Sequence, residues 1–325
     1  MDQCLKNKTF MVTGATGLIG QAIVKKLIRS NANVVAVVRD IEKAKRVFPK
    51  DDSITYLVTD IRDIVNPDIT IDYIIHGASN TASASFIQTP VDVAMTAING
   101  TIKTLEIARN QNVKGYVYLS SMEVYGTPCT DEKISELSTC NLDQMQPRSS
   151  YPESKRMCEC LCASYYAQYG VPAKVVRLTQ TFGPGVQYQD KRVFAEFARC
   201  SIERKDIVLH TKGETKRSYL YVDDAVDAIL TVLFYGNAGE AYNAANEATY
   251  CSIYEMAEMV AKRCTNSDIE VKVEIDHGPD QFGYMPTLHM NLDTKKIQAL
   301  GWSPKVSLEE SYQKMIAYMI EHNSQ

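Results

Sequence analysis

Short apolar runs of strand length alternate with stretches that carry apolar residues at helical spacing, from the N-terminus to about Thr181. The strand-like runs are Thr9–Thr13, Val34–Val38, Thr55–Thr59, Tyr73–His76, Tyr116–Ser120 and Lys174–Leu178. Between the first two, Gln21 to Ile28 has the spacing of an amphipathic helix, and longer ones are expected over Val91–Asn110 and Pro152–Gln168. Such alternation predicts an α/β fold with a doubly wound parallel sheet and helices on both faces. Ligands of such sheets bind beyond the carboxyl ends of the strands, which would gather Gly14, Asp60, Gly77 and Ser121 around one site.

After Thr181 the pattern loosens into glycine, proline and aromatic residues, as in Phe182-Gly183-Pro184-Gly185 and His277-Gly278-Pro279-Asp280-Gln281-Phe282-Gly283-Tyr284. Between these segments, Tyr219–Phe234 reads as a helix with its entry, and Ala241-Tyr242-Asn243 as a strand returning to the main sheet. No internal repeat, low-complexity tract or flexible linker interrupts the chain.

Composition narrows the function classes. At 325 residues the chain is long enough for one large or two intimate domains, and a net charge of −4 gives no electrostatic reason to expect nucleic acid. No apolar run approaches the length of a membrane span, and no signal-peptide pattern precedes the first strand, so a soluble, cytoplasmic protein is expected. The nine cysteines are odd in number and form no C-x-x-C pair. Cys158, Cys160 and Cys162 have alternate spacing, which on a helix sends the middle thiol to another face, and none of the five histidines makes a zinc-like spacing with another. No metal is expected.

Two motifs carry the chemistry. Gly14-Ala15-Thr16-Gly17-Leu18-Ile19-Gly20 lies between a strand and a helix, where backbone N–H groups at a helix N-terminus face a dinucleotide pyrophosphate. One glycine allows the tight turn, one removes a Cβ that would block the pyrophosphate, and the last lets helix pack on strand. Tyr151-Pro152-Glu153-Ser154-Lys155 puts a phenol and an ammonium on one helical face. A phenol is a poor base at neutral pH, and Lys155 together with an oxidised nicotinamide would correct that. One charge at ~4 Å with an effective dielectric of ~20 is worth about 4 kcal/mol, or roughly three pKa units. Ser121, at the end of the fifth strand, would hydrogen-bond the reacting oxygen.

The G-x-x-G-x-x-G spacing with Tyr-x-x-x-Lys downstream resembles the extended short-chain dehydrogenase/reductase family, in particular its nucleotide-sugar epimerases, dehydratases and decarboxylases. The resemblance runs from Thr9 to about Leu308. It is carried also by Asp60-Ile61, His76-Gly77-Ala78, Leu119-Ser120-Ser121-Met122-Glu123-Val124-Tyr125-Gly126, Arg217-Ser218-Tyr219-Leu220-Tyr221-Val222-Asp223-Asp224 and Leu300-Gly301-Trp302-Ser303-Pro304. It implies a Rossmann domain over residues 1–181, with 215–248 returning to it, and a smaller interleaved C-terminal substrate lobe from 182–214 and 249–325. The two long helices carry more apolar surface than one core face needs, and the resemblance implies a homodimer formed through them. His76 is expected to be structural, beneath the cofactor.

The expected cofactor contacts are Gly14, Thr16, Gly17, Leu18, Ile19, Gly20, Arg39, Asp60, Ile61, Gly77 and Ala78, with Tyr151 and Lys155. The cofactor is NAD or NADP. Arg39 occupies the usual acidic position at the end of the second strand, which favours NADP, whereas enzymes that recycle their cofactor within a turnover mostly use NAD. By resemblance, a nucleotide-diphosphate sugar would meet Gln180, Arg192 and Arg217. Glu123 narrows the reaction, because a 4-epimerase has no carbon acid to deprotonate. In the dehydratases a glutamate here removes the C5 proton, and in the uronate decarboxylases it assists carboxylate loss, so the reading leans to a lyase. A structural carboxylate is the alternative. Met122 stands where the dehydratases carry an acid, and Tyr284 where the decarboxylases carry an arginine, so neither lyase pattern is intact. A 4-epimerase, an NADPH-dependent keto-sugar reductase and, last, a non-catalytic dinucleotide sensor remain as alternatives.

Overall fold

The computed structural model describes residues 2–49, 52–139, 141–265, 269–275 and 287–322. Its centre is a seven-stranded sheet built from β1 (Thr9–Thr13), β2 (Asn33–Val38), β3 (Ile54–Val58), β4 (Tyr73–His76), β5 (Gly115–Ser121), β6 (Ala173–Leu178) and the strand Ala241–Ala244. The order across the sheet is Ala241–Ala244, β6, β5, β4, β1, β2, β3, and every neighbouring pair is parallel. The order reverses between β1 and β4, and that switch point opens a crevice at the carboxyl ends of the strands.

Side-chain alternation along each strand feeds two apolar layers. Phe10, Val12, Val34 and Ala36 pack on one side with Ile23 and Leu27 of the helix Leu18–Arg29 and Ile229 of the helix Val222–Tyr235. Met11, Val35, Val37 and Ile74 pack on the other, against Ala97 and Leu105 of Pro90–Asn110 and Cys158 and Cys162 of Ser150–Tyr169. Strands covered on both faces read as continuous apolar runs, which is why β2 was visible in the sequence. Gly170, at φ +72°, ends the helix Ser150–Tyr169 in the left-handed conformation.

A third core joins Phe182, Phe194, Phe197, Met256, Val260, Tyr312 and Met315. It packs by a small sheet centred on the strand Lys216–Tyr221, which pairs with Gln180–Phe182, Asn246–Ser252 and His289–Met290. Tyr219–Tyr221 is therefore strand and not helix entry, with the helix beginning at Val222. Ser218 to Tyr221 are all buried, so this strand shows no alternation to set it apart from the apolar run that follows.

Among the described residues no helix is long and apolar enough to cross a membrane, and no cluster of metal-ligating side chains is found. Cys158 and Cys162 are buried whereas Cys160 is exposed. The segment His277 to Tyr284 lies outside the described residues.

Candidate active site

The glycine turn is a cradle that side chains would fill. Gly14 sits at φ +70°, and a Cβ on it would lie 2.9 Å from the Gly77 carbonyl. A Cβ on Gly20 would lie 2.1 Å from the Gly14 carbonyl oxygen, the atom that accepts from Gly17 N at 3.0 Å. Gly17 is the N-cap of Leu18–Arg29 and no side chain caps that helix, so its first N–H groups are available to an anion. The cradle thus fits a dinucleotide pyrophosphate.

Beneath it, the Thr13 hydroxyl oxygen accepts from Gly77 N (3.1 Å) and Ala78 N (3.0 Å) and lies 2.7 Å from His76 Nδ1. With both lone pairs of that oxygen used, its proton goes to Nδ1, which assigns the His76 proton to Nε2, facing Thr101 at 3.2 Å. Burial pulls His76 down to about 3, with the Lys155 charge acting in the same direction. His76 is a neutral structural strut that fixes the turn after β4.

A cavity of about 810 Å³ runs from this cradle along the ends of the strands. All the expected cofactor contacts border it: Gly14, Thr16, Gly17, Leu18, Ile19 and Gly20 on the turn, then Arg39, Asp60, Ile61, Gly77 and Ala78. Ser121, Glu123, Tyr151 and Lys155 line its other end, so the structure brings the two motifs into one space. Ser121 closes β5 and its hydroxyl accepts from Glu123 N at 3.2 Å, starting the single turn Met122–Tyr125 that points Glu123 back towards the cavity. Met122 packs beside it, with Sδ accepting from the Thr179 hydroxyl at 3.4 Å, and offers no proton.

Tyr151 and Lys155 are both buried on the helix Ser150–Tyr169. The Tyr151 ring stacks on Phe86, with centroids 4.3 Å apart and planes 11° from parallel. Lys155 Nζ donates to the Leu119 carbonyl at 2.7 Å and lies 4.7 Å from the Tyr118 ring centroid. Arg148, just before the helix, donates to the Glu123 carboxylate at 3.0 Å. Phe86 and Arg148 were not singled out from sequence. Phe86 has no signal there, and nothing in the spacing of Arg148, three residues before Tyr151, ties it to Glu123.

Burial pushes the Tyr151 phenol above its usual range, the Glu123 charge adds to that, and Ser121 and Arg148 pull it part of the way back. This is opposite to the lowering expected from Lys155. Nζ is turned to Leu119 and stands 5.7 Å from the Tyr151 ring centroid. Burial also lowers Lys155 from 10.5 to about 8. Between those values the unfolded chain holds a proton that the folded chain has released, so this group's contribution to stability rises with pH across that window. Wild type is expected to gain about 1 kcal/mol over a Lys155→Met variant between pH 7 and pH 9, read from urea midpoints. A gap that stays constant would show that Lys155 titrates at its ordinary value.

Of the three substrate candidates, Gln180 and Arg192 line the cavity and Arg217 does not. Arg192 is closed on Asp190, with Nε 3.0 Å and a terminal nitrogen 2.5 Å from its carboxylate oxygens. Arg217 lies on the strand Lys216–Tyr221, and its buried Nε has no hydrogen-bond partner among the described residues. The substrate contacts of the sequence reading are thus split between the cavity and the adjoining small sheet.

Residues 10–245 match the NAD-dependent epimerase/dehydratase family, and the chain belongs to it. The protein is an enzyme of this family. It is 28% identical over 313 residues to UDP-glucuronic acid decarboxylase 5 of Arabidopsis thaliana, covering 94% of this chain and 88% of the relative. It is equally 28% identical over 331 residues to the dTDP-D-glucose 4,6-dehydratase of Homo sapiens, covering 97% and 91%. Among solved structures, the dTDP-glucose 4,6-dehydratase of Streptomyces venezuelae with NAD bound superposes with a TM-score of 0.82 at 22% identity, over 97% of this chain and 98% of that one. A UDP-N-acetylglucosamine 4-epimerase from Methanobrevibacter ruminantium M1 gives 0.84 at 22% identity, over 97% and 99%. These neighbours establish the Rossmann-type fold.

Proposed function

We propose that the protein modifies a nucleotide-diphosphate sugar by transient oxidation at C4, with a lyase outcome of the 4,6-dehydratase or uronate decarboxylase type. The observation that carries this reading is Glu123, a carboxylate in the same cavity as Ser121, Tyr151 and Lys155 and close enough for its charge to raise the Tyr151 pKa. The dinucleotide, when bound, supplies a positive charge and a carbon that takes up hydrogen with its electron pair and returns it. Ser121 and Tyr151 hold the C4 oxygen, and Tyr151 takes its proton. Lys155 orients the Tyr151 face of the helix through Leu119. Glu123, an acceptor when ionised, then takes the C5 proton in a dehydration and passes it to the C6 hydroxyl, which leaves as water, or assists carboxylate loss.

The deciding experiment incubates the protein with uridine-, thymidine-, guanosine- and cytidine-diphosphate sugars, with and without NAD or NADPH, and reads product masses. Loss of water or carbon dioxide without net cofactor use supports the proposal. Unchanged mass with altered stereochemistry would make it an epimerase. A gain of two hydrogens would make it a reductase, the second reading, which Arg39 and Lys43 at the cavity wall favour.

We also propose a homodimer. Val91 and Met95 on Pro90–Asn110, with Met157, Tyr166 and Tyr169 on Ser150–Tyr169, are exposed on two helices packed side by side. A Met95→Lys, Met157→Lys double variant is expected to elute as a monomer in light scattering while wild type elutes as a dimer. We place the protein in the cytoplasm, where its eight described cysteines, all free, would stay reduced.

A further inference from the structure

Behind the cavity wall lies a chain of buried polar side chains that the proposed reaction does not touch. Arg177 of β6 faces Glu159 of the helix Ser150–Tyr169, with little of either side chain exposed. Arg177 Nε donates to the two Glu159 oxygens at 3.1 and 3.2 Å, and Nη2 donates to one of them at 2.7 Å. Glu159 also accepts from the Ser120 hydroxyl at 2.5 Å. The other arm of the guanidinium, Nη1, donates to the Tyr125 hydroxyl at 2.7 Å and to the Glu136 carbonyl at 2.9 Å. Tyr125 in turn meets Asn243 Oδ1 at 2.7 Å, while Asn243 Nδ2 donates to the Ile134 carbonyl at 2.9 Å and the Asp293 carbonyl at 3.1 Å.

The donors and acceptors leave one arrangement of protons. A guanidinium only donates, and two carbonyls claim Asn243 Nδ2, so Oδ1 faces Tyr125 and the phenol gives its proton to it. Burial pushes the Tyr125 phenol up to about 12 against the pull of Arg177, so that proton is kept. None of Tyr125, Glu159, Arg177 and Asn243 borders the cavity, but what they hold does. Ser120 stands next to last in β5 and Tyr125 ends the turn Met122–Tyr125, so the network clamps both ends of a segment whose Ser121, Met122 and Glu123 line the cavity. Glu159 lies about one helical turn beyond Lys155 and about two beyond Tyr151, so the same clamp relates that segment to the helix bearing both.

Resting on the lyase reading above, we propose that Tyr125, held by Asn243 and by the Arg177–Glu159 pair, is a positioning residue that sets Glu123 against the sugar, so that the step following C4 oxidation depends on it. Misplacing a reacting group by about 1 Å costs roughly 100-fold in rate, and a turn freed at one end allows a shift of that size.

Tyr125→Phe removes the hydroxyl and keeps the ring, whose centroid lies 5.0 Å from the Arg177 guanidinium. At matched folding by circular dichroism, kcat on the sugar that wild type converts is expected to fall roughly 10- to 100-fold, with KM and dinucleotide affinity within about threefold. Reduced nicotinamide, followed by its absorbance, is expected to build up during turnover in the variant, because C4 oxidation proceeds while the Glu123 step lags. Amide hydrogen exchange of the unliganded full chain should quicken at residues 122–126 and stay unchanged in β1 and the helix Leu18–Arg29. Arg177→Met combined with Glu159→Met removes both charges together, leaves no uncompensated ion, and is expected to give the same loss of kcat. A kcat within about threefold of wild type in both variants overturns the proposal, as does a fall in kcat without reduced cofactor building up. Exchange that quickens throughout the chain assigns the network to fold stability alone and overturns it too. An epimerised or reduced product from wild type, or no product from any nucleotide sugar, overturns the lyase reading itself, and wild type shows this before any variant is compared.

Discussion

Tyr151→Phe is expected to lower kcat by roughly 10²- to 10⁴-fold, the range for losing a positioned proton acceptor, with little change in cofactor affinity or melting temperature. The variant deletes one oxygen from a ring whose apolar face is already committed to Phe86, so the stack and the fold persist. The prediction separates the phenol's chemistry from its packing. A variant retaining more than a tenth of wild-type turnover, at matched folding by circular dichroism, would remove Tyr151 from the reaction. The pH profile adds a second check. Burial and Glu123 hold the phenol high in the free protein, so the loaded enzyme must supply the charge that brings it into range. Replacing Arg148 by alanine removes one of the two groups pulling it down, and should shift the acidic limb of kcat/KM, where the base loses its proton, to higher pH than in wild type.

Gly20→Ala should weaken dinucleotide binding by at least about 100-fold and lower stability by about 1–3 kcal/mol, the cost of forcing atoms into a packed site. The added methyl would overlap the Gly14 carbonyl at 2.1 Å and its carbon at 2.8 Å, both backbone atoms of the turn. Neither yields as a flexible side chain would. Gly17→Ala is the internal comparison, because its Cβ would meet the same oxygen at 3.3 Å, a contact relieved by a small shift. A graded loss, severe at Gly20 and mild at Gly17, is the expected calorimetric result. Equal affinity in both variants and wild type would mean the pyrophosphate does not sit on this turn.

The strands of the main sheet were legible because burial on both faces makes them unbroken apolar runs, and β1, β4 and the strand end at Ser121 lie within a residue of their expected bounds. The small sheet was not. Gln180–Phe182 and His289–Met290 are too short to show a period, and Lys216–Tyr221 runs straight into a helix with an apolar start. The gathering of Gly14, Asp60, Gly77 and Ser121 at one cavity followed from topology alone, since parallel strands end on one side. What sequence could not supply were contacts set by side-chain direction. The Phe86 stack, the Arg148–Glu123 pair, the Arg62 grip on Asp60 and the turn of Lys155 towards Leu119 each join residues whose spacing says nothing of rotamer.

The third core takes Phe182 and Phe194 from one stretch, Met256 and Val260 from another, and Tyr312 and Met315 from a last one, while Ala241–Ala244, between the first two, completes the main sheet. No contiguous piece of chain contains this core without also carrying a strand of the main sheet. It cannot be excised, donated or inherited as a cassette, and a recombination breakpoint anywhere between Phe182 and Met315 would sever one hydrophobic interior or the other. New substrate preferences on such a scaffold arise by substitution and loop change within one lineage, so relatives that share the whole length of the chain can diverge in chemistry without any visible exchange of modules.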